Sequence, residues 1–183
     1  MGTGIVDSLT KEFDIEDIWI PHEIHPEIPT EGQSVTDRFS RFDVDQIVAT
    51  CRQRGEPYGL EFGDLDMLTN TRLALEAAEF ARSKRAYHAM HSELFKCYFR
   101  EGQNLGDRQV VLAAAEQCGL DADELEAALD EGVFADKVKQ GSVEAKRLGV
   151  TAIPAFFIEG LSPITGAVSE DLFREALASL REK

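Results

Sequence analysis

The chain has 183 residues, enough for one globular domain or for a core domain that carries a large insertion. Its 34 Asp and Glu residues outnumber its 19 Lys and Arg residues, giving a formal net charge of −15. This charge argues against binding to nucleic acids or anionic membranes, because both need clustered cations. The sequence shows neither an apolar run of membrane-spanning length nor a signal-peptide pattern, so we expect a cytoplasmic protein.

The beginning of the chain predicts a helix followed by a strand. Ile5, Leu9 and Phe13 recur every four residues, which predicts an amphipathic helix over 3–13. Residues 16–24 are rich in β-branched and aromatic side chains, which is typical of a strand. A proline at position 21 would place an edge, a bulge or the strand's end there.

The middle of the chain predicts a series of helices. Apolar spacing, with N-cap residues such as Asn70, Asp107 and Asp121, defines their limits. The predicted helices cover 43–54, 71–84, 86–101, 107–118, 121–132 and 134–148. Gly149 has the position of a glycine that ends the last of them.

The three cysteines, Cys51, Cys97 and Cys118, lie far apart within this helical region. Their number is odd, and their spacing gives neither a Cys-x-x-Cys pair nor a metal-ligand pattern. Helix-forming sequence flanks each of them, which favours a packing role for all three. His88 and His91 share a helix face and could bind a metal, but no further ligand has motif spacing. We therefore predict partly buried, hydrogen-bonded histidines and no metal site.

The C-terminal end returns to strands. Residues 155–158 and 161–164 predict two short strands, and Ser169 is a candidate N-cap for a closing helix. Pro154 stands between a helix end and a buried strand, and base rates alone favour an ordinary trans bond there. Strands at both ends around a helical middle predict an α/β protein whose sheet is built from both chain ends.

Four segments of the chain resemble the DsbA-like branch of the thioredoxin superfamily, and in particular the FrnE-like proteins, which are related to 2-hydroxychromene-2-carboxylate isomerases. They are GVTAIPAFFIEG with PITGAVSEDLFREAL (149–160 and 163–177), HEIHPE (22–27), NTRLALEAAEF (70–80) and HSELFKCYFREG (91–102). The resemblance implies a thioredoxin-like domain made of 1–32 and 149–183. An all-helical insertion subdomain would then cover 33–148.

The resemblance also implies a substrate site. It implies that the Ile153–Pro154 bond is cis and that both residues contact an extended peptide or glutathione. His25 lies in the loop after the predicted strand and is a candidate substrate neighbour, with a role in turn structure as the alternative. No cofactor is expected, and glutathione enters as a possible substrate.

The chain departs from the family pattern at its N-terminus. The family carries a Cys-x-x-Cys pair at the start of its first helix, after its first strand, whereas Gly2–Leu9 resembles the part of that helix just after the second cysteine. Three explanations stay open: a misplaced or truncated start, an upstream part encoded separately or behind a read-through codon, and a degenerate member of the family. If the first strand is absent, we expect strands 16–24 and 155–158 to pair directly, or a second copy to supply a strand in a homodimer or strand-swapped oligomer.

The resemblance therefore implies a protein thiol–disulfide oxidoreductase or isomerase whose catalytic dithiol is absent from this chain. Its partners would be extended peptides or thiol substrates. Whether the chain is itself an enzyme is left open. The alternatives are a glutathione-dependent isomerase of the 2-hydroxychromene-2-carboxylate type and a non-catalytic module that binds peptides or partner chains.

Overall fold

The computed structural model of the protein describes residues 1–40 and 43–181. Helix α1 covers Gly2–Leu9, and turns continue its path, with Phe13 N–H donating to the Leu9 carbonyl at 2.9 Å. The helix predicted over 3–13 is therefore shorter than expected. Strand β1 (Gln33–Ser34) and the one-turn helix α2 (Val35–Arg38) follow.

Residues 16–24 form no strand, and no pairing with 155–158 occurs in the described chain, so the predicted direct pairing is wrong. Exposure nevertheless alternates along this segment with the period of two that an extended chain produces. Ile18 and Ile20 are exposed, whereas Trp19 between them is partly covered. A strand is defined by its hydrogen-bonded neighbour, and local sequence reports the alternation but not the neighbour.

Helices fill the middle of the chain. They are α3 (Val44–Gly55), α4 (Arg72–Ser83), α5 (Tyr87–Phe95), α6 (Arg108–Gln117), α7 (Ala122–Asp130) and α8 (Ala135–Arg147). A 3₁₀ turn (Glu56–Tyr58) extends α3, and a π-helical turn (Lys96–Arg100) extends α5. Strand β2 (Met67–Leu68) pairs antiparallel with β1 before α4 begins.

Side-chain caps set several of these helix starts. Asp107 accepts a hydrogen bond from Gln109 N–H at 2.9 Å, and Asp121 accepts one from Glu124 N–H at 3.0 Å, which confirms both predicted caps. The predicted N-cap at Asn70 is off by one residue: the N-cap of α4 is Thr71, and the Asn70 side chain just before it accepts from Arg72 N–H at 2.9 Å. Because these interactions are local in sequence, the helix limits could be predicted closely.

The C-terminal part forms a short hairpin and a closing helix. Strand β3 (Ala155–Phe156) pairs antiparallel with β4 (Ile164–Thr165), with Phe156 opposite Ile164. Helix α9 (Glu170–Arg181) follows and packs against α1. The β3–β4 sheet is therefore smaller than the predicted sheet built from both chain ends, because both of its strands come from the C-terminal end.

Two apolar clusters hold the fold together. The larger lies among α4, α5, α6 and α7, with Met90, Val111 and Leu125 fully buried. The smaller joins Ile5 and Leu9 of α1 to α9, and Ile15 and Phe156 pack against it. The two chain ends thus meet in one core. No helix in the described residues has the length and apolar character needed to cross a bilayer.

Candidate functional site

The start of helix α1 lies directly against Pro154. A Cβ atom added to Gly2 would be 3.2 Å from both Cβ and Cγ of Pro154 and 3.6 Å from the Phe156 ring. The Pro154 carbonyl accepts a hydrogen bond of 2.7 Å from Gly166 N–H, just after β4. The Ile153–Pro154 peptide bond is cis in the structure, as the resemblance implied. The fold therefore brings Pro154 and the first turn of α1 together.

The surface around Pro154 is open and apolar. Ile153 is 56% exposed and Phe157 is 46% exposed, so both side chains offer apolar surface to a ligand. Met1, at the N-cap position of α1, contributes no side-chain hydrogen bond to the first turn. The backbone N–H groups of that turn favour negative charge nearby, because they form the positive end of the helix dipole.

Helix α3 flanks the same end of α1. Burial lowers the pKa of the Met1 amino group; Cys51 opposes this change, and Arg54 adds to it. Cys51 and Arg54 are therefore within electrostatic reach of the start of α1. Arg54 also donates a hydrogen bond to the Ala167 carbonyl, which anchors α3 to the residues after β4.

A polar cluster beneath the site fixes the orientation of α1. Tyr58 packs so tightly on Gly4 that an added Cβ would be 2.5 Å from its ring. Ser8 Oγ donates to Glu170 at 3.0 Å, and Arg174 pairs with the same carboxylate at 2.5 Å. Burial would raise the pKa of Glu170, but hydrogen bonds from Tyr58, Ser8 and Arg174 outweigh it and hold that pKa below its ordinary value. Helices α1 and α9 are thereby locked together.

His25 lies in a polar loop cluster. Its Nδ1 atom is 3.3 Å from Glu27 Oε1 and 3.2 Å from Arg38 Nη2, and Arg38 also hydrogen-bonds to Glu27. These contacts connect the loop to α2. The expectation that His25 approaches a substrate stays a prediction.

The cysteines are free thiols in packed surroundings. Cys97 is buried in the larger core cluster, and burial, with Glu93 and Glu101 nearby, raises its pKa to about 11. Cys118 packs against the same cluster, and burial raises its pKa as well. The predicted packing role is confirmed for these two, whereas Cys51 is half-buried on α3.

His91 belongs to an aromatic cluster. Its ring stacks on Tyr87 at 5.4 Å and contacts Trp19 at 4.7 Å and Phe95 at 4.3 Å. Burial, with His88 and Arg82 nearby, lowers the pKa of His91 to about 4, so the ring is neutral at pH 7. In the described parts of the chain, no three metal-binding side chains come close together.

A buried acidic group lies between residues 16–24 and α4, and the sequence analysis did not identify it. Its members, Glu23, Glu76 and Glu79, are 6%, 5% and 4% exposed. Arg72 pairs with Glu23 at 2.6 Å, and Arg82 pairs with Glu79 at 3.1 Å. Glutamates spaced three apart among the alanines of α4 were the signal that could have revealed it.

The comparisons with known proteins agree with this architecture. A family model described as DSBA-like thioredoxin domain matches residues 2–178. The protein YwbO of Bacillus subtilis (strain 168) is 27% identical over 186 residues, covering 100% of this chain and 91% of YwbO.

Two solved structures share the fold. The probable DsbA oxidoreductase SCO1869 from Streptomyces coelicolor has a TM-score of 0.87 at 20% identity and covers 100% of this chain and 84% of its own. A 2-hydroxychromene-2-carboxylate isomerase has a TM-score of 0.75 at 16% identity. The match covers 97% of this chain and 86% of the isomerase chain. The predicted thioredoxin-like α/β fold with a helical insertion is confirmed. The insertion is not all-helical as predicted, because the paired strands β1 and β2 lie within 33–148. The chain belongs to the DSBA-like thioredoxin domain family.

Proposed function

We propose that the chain is the substrate-presenting part of a protein thiol–disulfide oxidoreductase or isomerase of the FrnE-like type. It binds an extended peptide or a thiol substrate beside Ile153 and Pro154. The observation that carries the proposal is the contact between the start of α1 and Pro154, next to the exposed Ile153. Family membership supports the same function.

The residues around Pro154 suit such a ligand in two ways. The exposed Ile153 side chain offers apolar surface that a bound peptide would cover. The start of α1 favours a thiolate or a carboxylate placed near its N–H groups. A thiol ligand could therefore be held by its apolar part and oriented by its negative charge.

The redox step itself needs two thiols close together, one that attacks and one that resolves the mixed disulfide. The sequence contains no Cys-x-x-Cys pair, and Cys97 and Cys118 are covered by the helical core. We therefore assign substrate presentation to this chain and no electron transfer to its own cysteines.

Substitution of Ile153 tests the proposal directly. Ile153→Asp should weaken binding of a labelled, extended peptide roughly 10-fold, because covering an isoleucine contributes ~1.5 kcal/mol or more and ~1.4 kcal/mol is a factor of ten. Fluorescence anisotropy measures the affinity. Val143→Asp is the matched control, since Val143 is 60% exposed on α8 and should leave binding unchanged. Equal affinities for the two variants would refute peptide binding at Ile153.

A glutathione-dependent isomerase is the second candidate, favoured by the structural similarity to the 2-hydroxychromene-2-carboxylate isomerase. Calorimetric titration separates the two functions. Glutathione binding that is lost in Ile153→Asp, with no peptide binding by the unmodified chain, would support the isomerase. Peptide binding without glutathione binding would support the oxidoreductase type.

A further inference from the structure

We infer that the outward face of α8 binds an acidic, amphipathic helix of a partner polypeptide. Lys139, Val143 and Lys146 form this surface, called the α8 face below. The inference does not depend on the proposed function, because the ligand surface at Pro154 contributes nothing to the α8 face. Three observations carry it: two lysines without an acidic partner, an exposed valine between them, and a helix that is fixed from its other side.

Helix α8 is locally basic in an acidic chain. Residues 137–149 contain four cations and one carboxylate, whereas the whole chain has a net charge of −15. Glu144 is that carboxylate, and it pairs with Arg147 at 2.6 Å. Among the side chains that the structure describes, no carboxylate forms an ion pair with Lys139 or Lys146. Their positive charge is therefore available to an acidic ligand.

An aliphatic side chain lies between the two lysines. Lys139, Val143 and Lys146 follow one another at spacings of four and three residues, which places them on one side of a helix. Val143 is 60% exposed and, with Lys139 and Gln140, lines a shallow depression of about 310 Å³. Asp136 closes the N-terminal end of this depression, so a ligand's carboxylates are attracted to the lysines and repelled from that end.

The opposite side of α8 is packed against the protein. Its buried positions are Val138, Gly141 and Ala145. Next to them, Ser142 Oγ accepts a hydrogen bond of 3.0 Å from Glu23 N–H. With 3.6 residues per turn, the buried positions share one side and Val143 points away from it. The α8 face is thus held in place before a partner binds, and binding costs little conformational freedom.

The combination of charge and apolar surface selects a polypeptide. A nucleic acid would offer phosphates to the lysines, but it would leave Val143 uncovered, and the net charge of −15 repels it. Lys139 and Lys146 are ~10 Å apart along the helix axis, which matches two glutamates seven residues apart on a partner helix. A leucine between those glutamates covers Val143. A second copy of the chain would add another net charge of −15, which disfavours self-association.

The occupant is therefore a helix with the pattern Glu-x-x-Leu-x-x-x-Glu, running antiparallel to α8. The probe is a capped, fluorescein-labelled helical peptide with this pattern and alanine at most other positions. Fluorescence anisotropy should show saturable binding at low salt. A peptide with lysines in place of the glutamates should bind roughly 10-fold more weakly, and one with alanine in place of the leucine roughly 5-fold more weakly.

Charge-reversal variants locate the binding surface. Lys139→Glu with Lys146→Glu should weaken binding of the acidic peptide roughly 10-fold. The matched control is Lys11→Glu with Arg85→Glu, which changes the net charge equally at exposed cations elsewhere. The control should change the affinity less than ~2-fold, because long-range charge effects are screened. Circular dichroism checks that both variants fold.

A crossed comparison separates this inference from the proposed function. Val143→Asp should weaken binding of the acidic helical peptide and leave binding of an extended peptide without acidic residues unchanged. Ile153→Asp should have the reverse effect. Loss of one kind of binding without the other therefore shows which of the two proposals fails.

Three results would overturn the inference. The first is an equal loss of affinity in the two charge-reversal variants, which would show that net charge alone matters. The second is displacement of the peptide by a short DNA duplex at the same concentration of negative charge. The third is a dimer of the unmodified chain, seen by sedimentation and lost in the Lys139→Glu, Lys146→Glu variant, which would show that a second copy covers the α8 face.

Discussion

At the scale of single residues, Glu76 is a buried carboxyl group on a helix face made mainly of alanine. Burial raises its pKa; Arg72 opposes this effect, and Glu23 adds to it. Because the pKa in the folded state is above its ordinary value of 4.5, the ionised form destabilises the fold. This cost is present above the raised pKa and disappears as the pH falls through that pKa towards 4.5.

Glu76→Gln should therefore increase the free energy of unfolding at pH 7, because the amide carries no charge to be buried. In a chain of this size, each ~1 kcal/mol gained raises Tm by ~2–4 °C. The gain should shrink as the pH falls to 4, where Glu76 itself is protonated. Thermal unfolding at several pH values measures both effects.

Glu116→Gln is the control for that experiment, since Glu116 is exposed on α6 and its replacement should change stability by less than ~0.5 kcal/mol. A Glu76→Gln variant that is less stable than the unmodified chain at pH 7 would mean that the ionised carboxylate is stabilised by its neighbours, with Arg72 outweighing burial.

The cysteines give a second prediction at this scale. The chain should reduce insulin no faster than the uncatalysed control with dithiothreitol. The thiolate is the nucleophile, and burial raises the pKa of Cys97 to about 11 and also raises that of Cys118. Turbidity from precipitating insulin chains follows the reaction. Acceleration that disappears in Cys51→Ala would show instead that Cys51 exchanges disulfides.

At the scale of elements, Gly141 determines how closely α8 approaches the N-terminal segment. An added Cβ would lie 2.1 Å from the Pro21 carbonyl oxygen, which is a backbone atom and cannot rotate away. In an exposed helix interior, Gly→Ala stabilises by up to ~1 kcal/mol. At this position the clash should outweigh that gain.

Gly141→Ala should therefore lower the free energy of unfolding by ~1–3 kcal/mol, as overpacking does. Trp19 emission should also shift, because its segment must move away from α8. Urea unfolding measures the first effect and fluorescence the second. Gln140→Ala, at the exposed neighbouring position, should leave both unchanged. If Gly141→Ala instead raised the free energy of unfolding, α8 and Pro21 would be able to move apart without loss of stability.

The helices and strands differ in how far the sequence could predict them. Helix starts such as those at Asp107 and Asp121 depend on hydrogen bonds between residues two or three positions apart, so the local sequence was enough to predict them. The predicted strand over 16–24 needed a hydrogen-bonded neighbour, which local sequence does not reveal, and the structure forms no strand there. Pro154 was identified through family resemblance, whereas its contact with Gly2 arises from packing between residues about 150 positions apart and has no local signal.

At the scale of the whole molecule, charge should dominate the response to salt. A net charge of −15 repels itself in the compact state, and added salt screens that repulsion. Surface ion pairs, such as Arg147 with Glu144, are weakened by the same salt but contribute little individually. Because screening of the net repulsion should outweigh the weakening of ion pairs, we expect Tm to rise by a few degrees between ~10 mM and ~200 mM NaCl at pH 7.

The rise should fade at pH 5, close to the sequence isoelectric point of about 4.6, because little net charge is left to screen. Calorimetry at the two pH values measures the difference. A Tm that falls with salt at pH 7 would mean that ion pairs such as Arg174 with Glu12 outweigh the general repulsion. The same repulsion should keep copies of the chain apart in dilute salt.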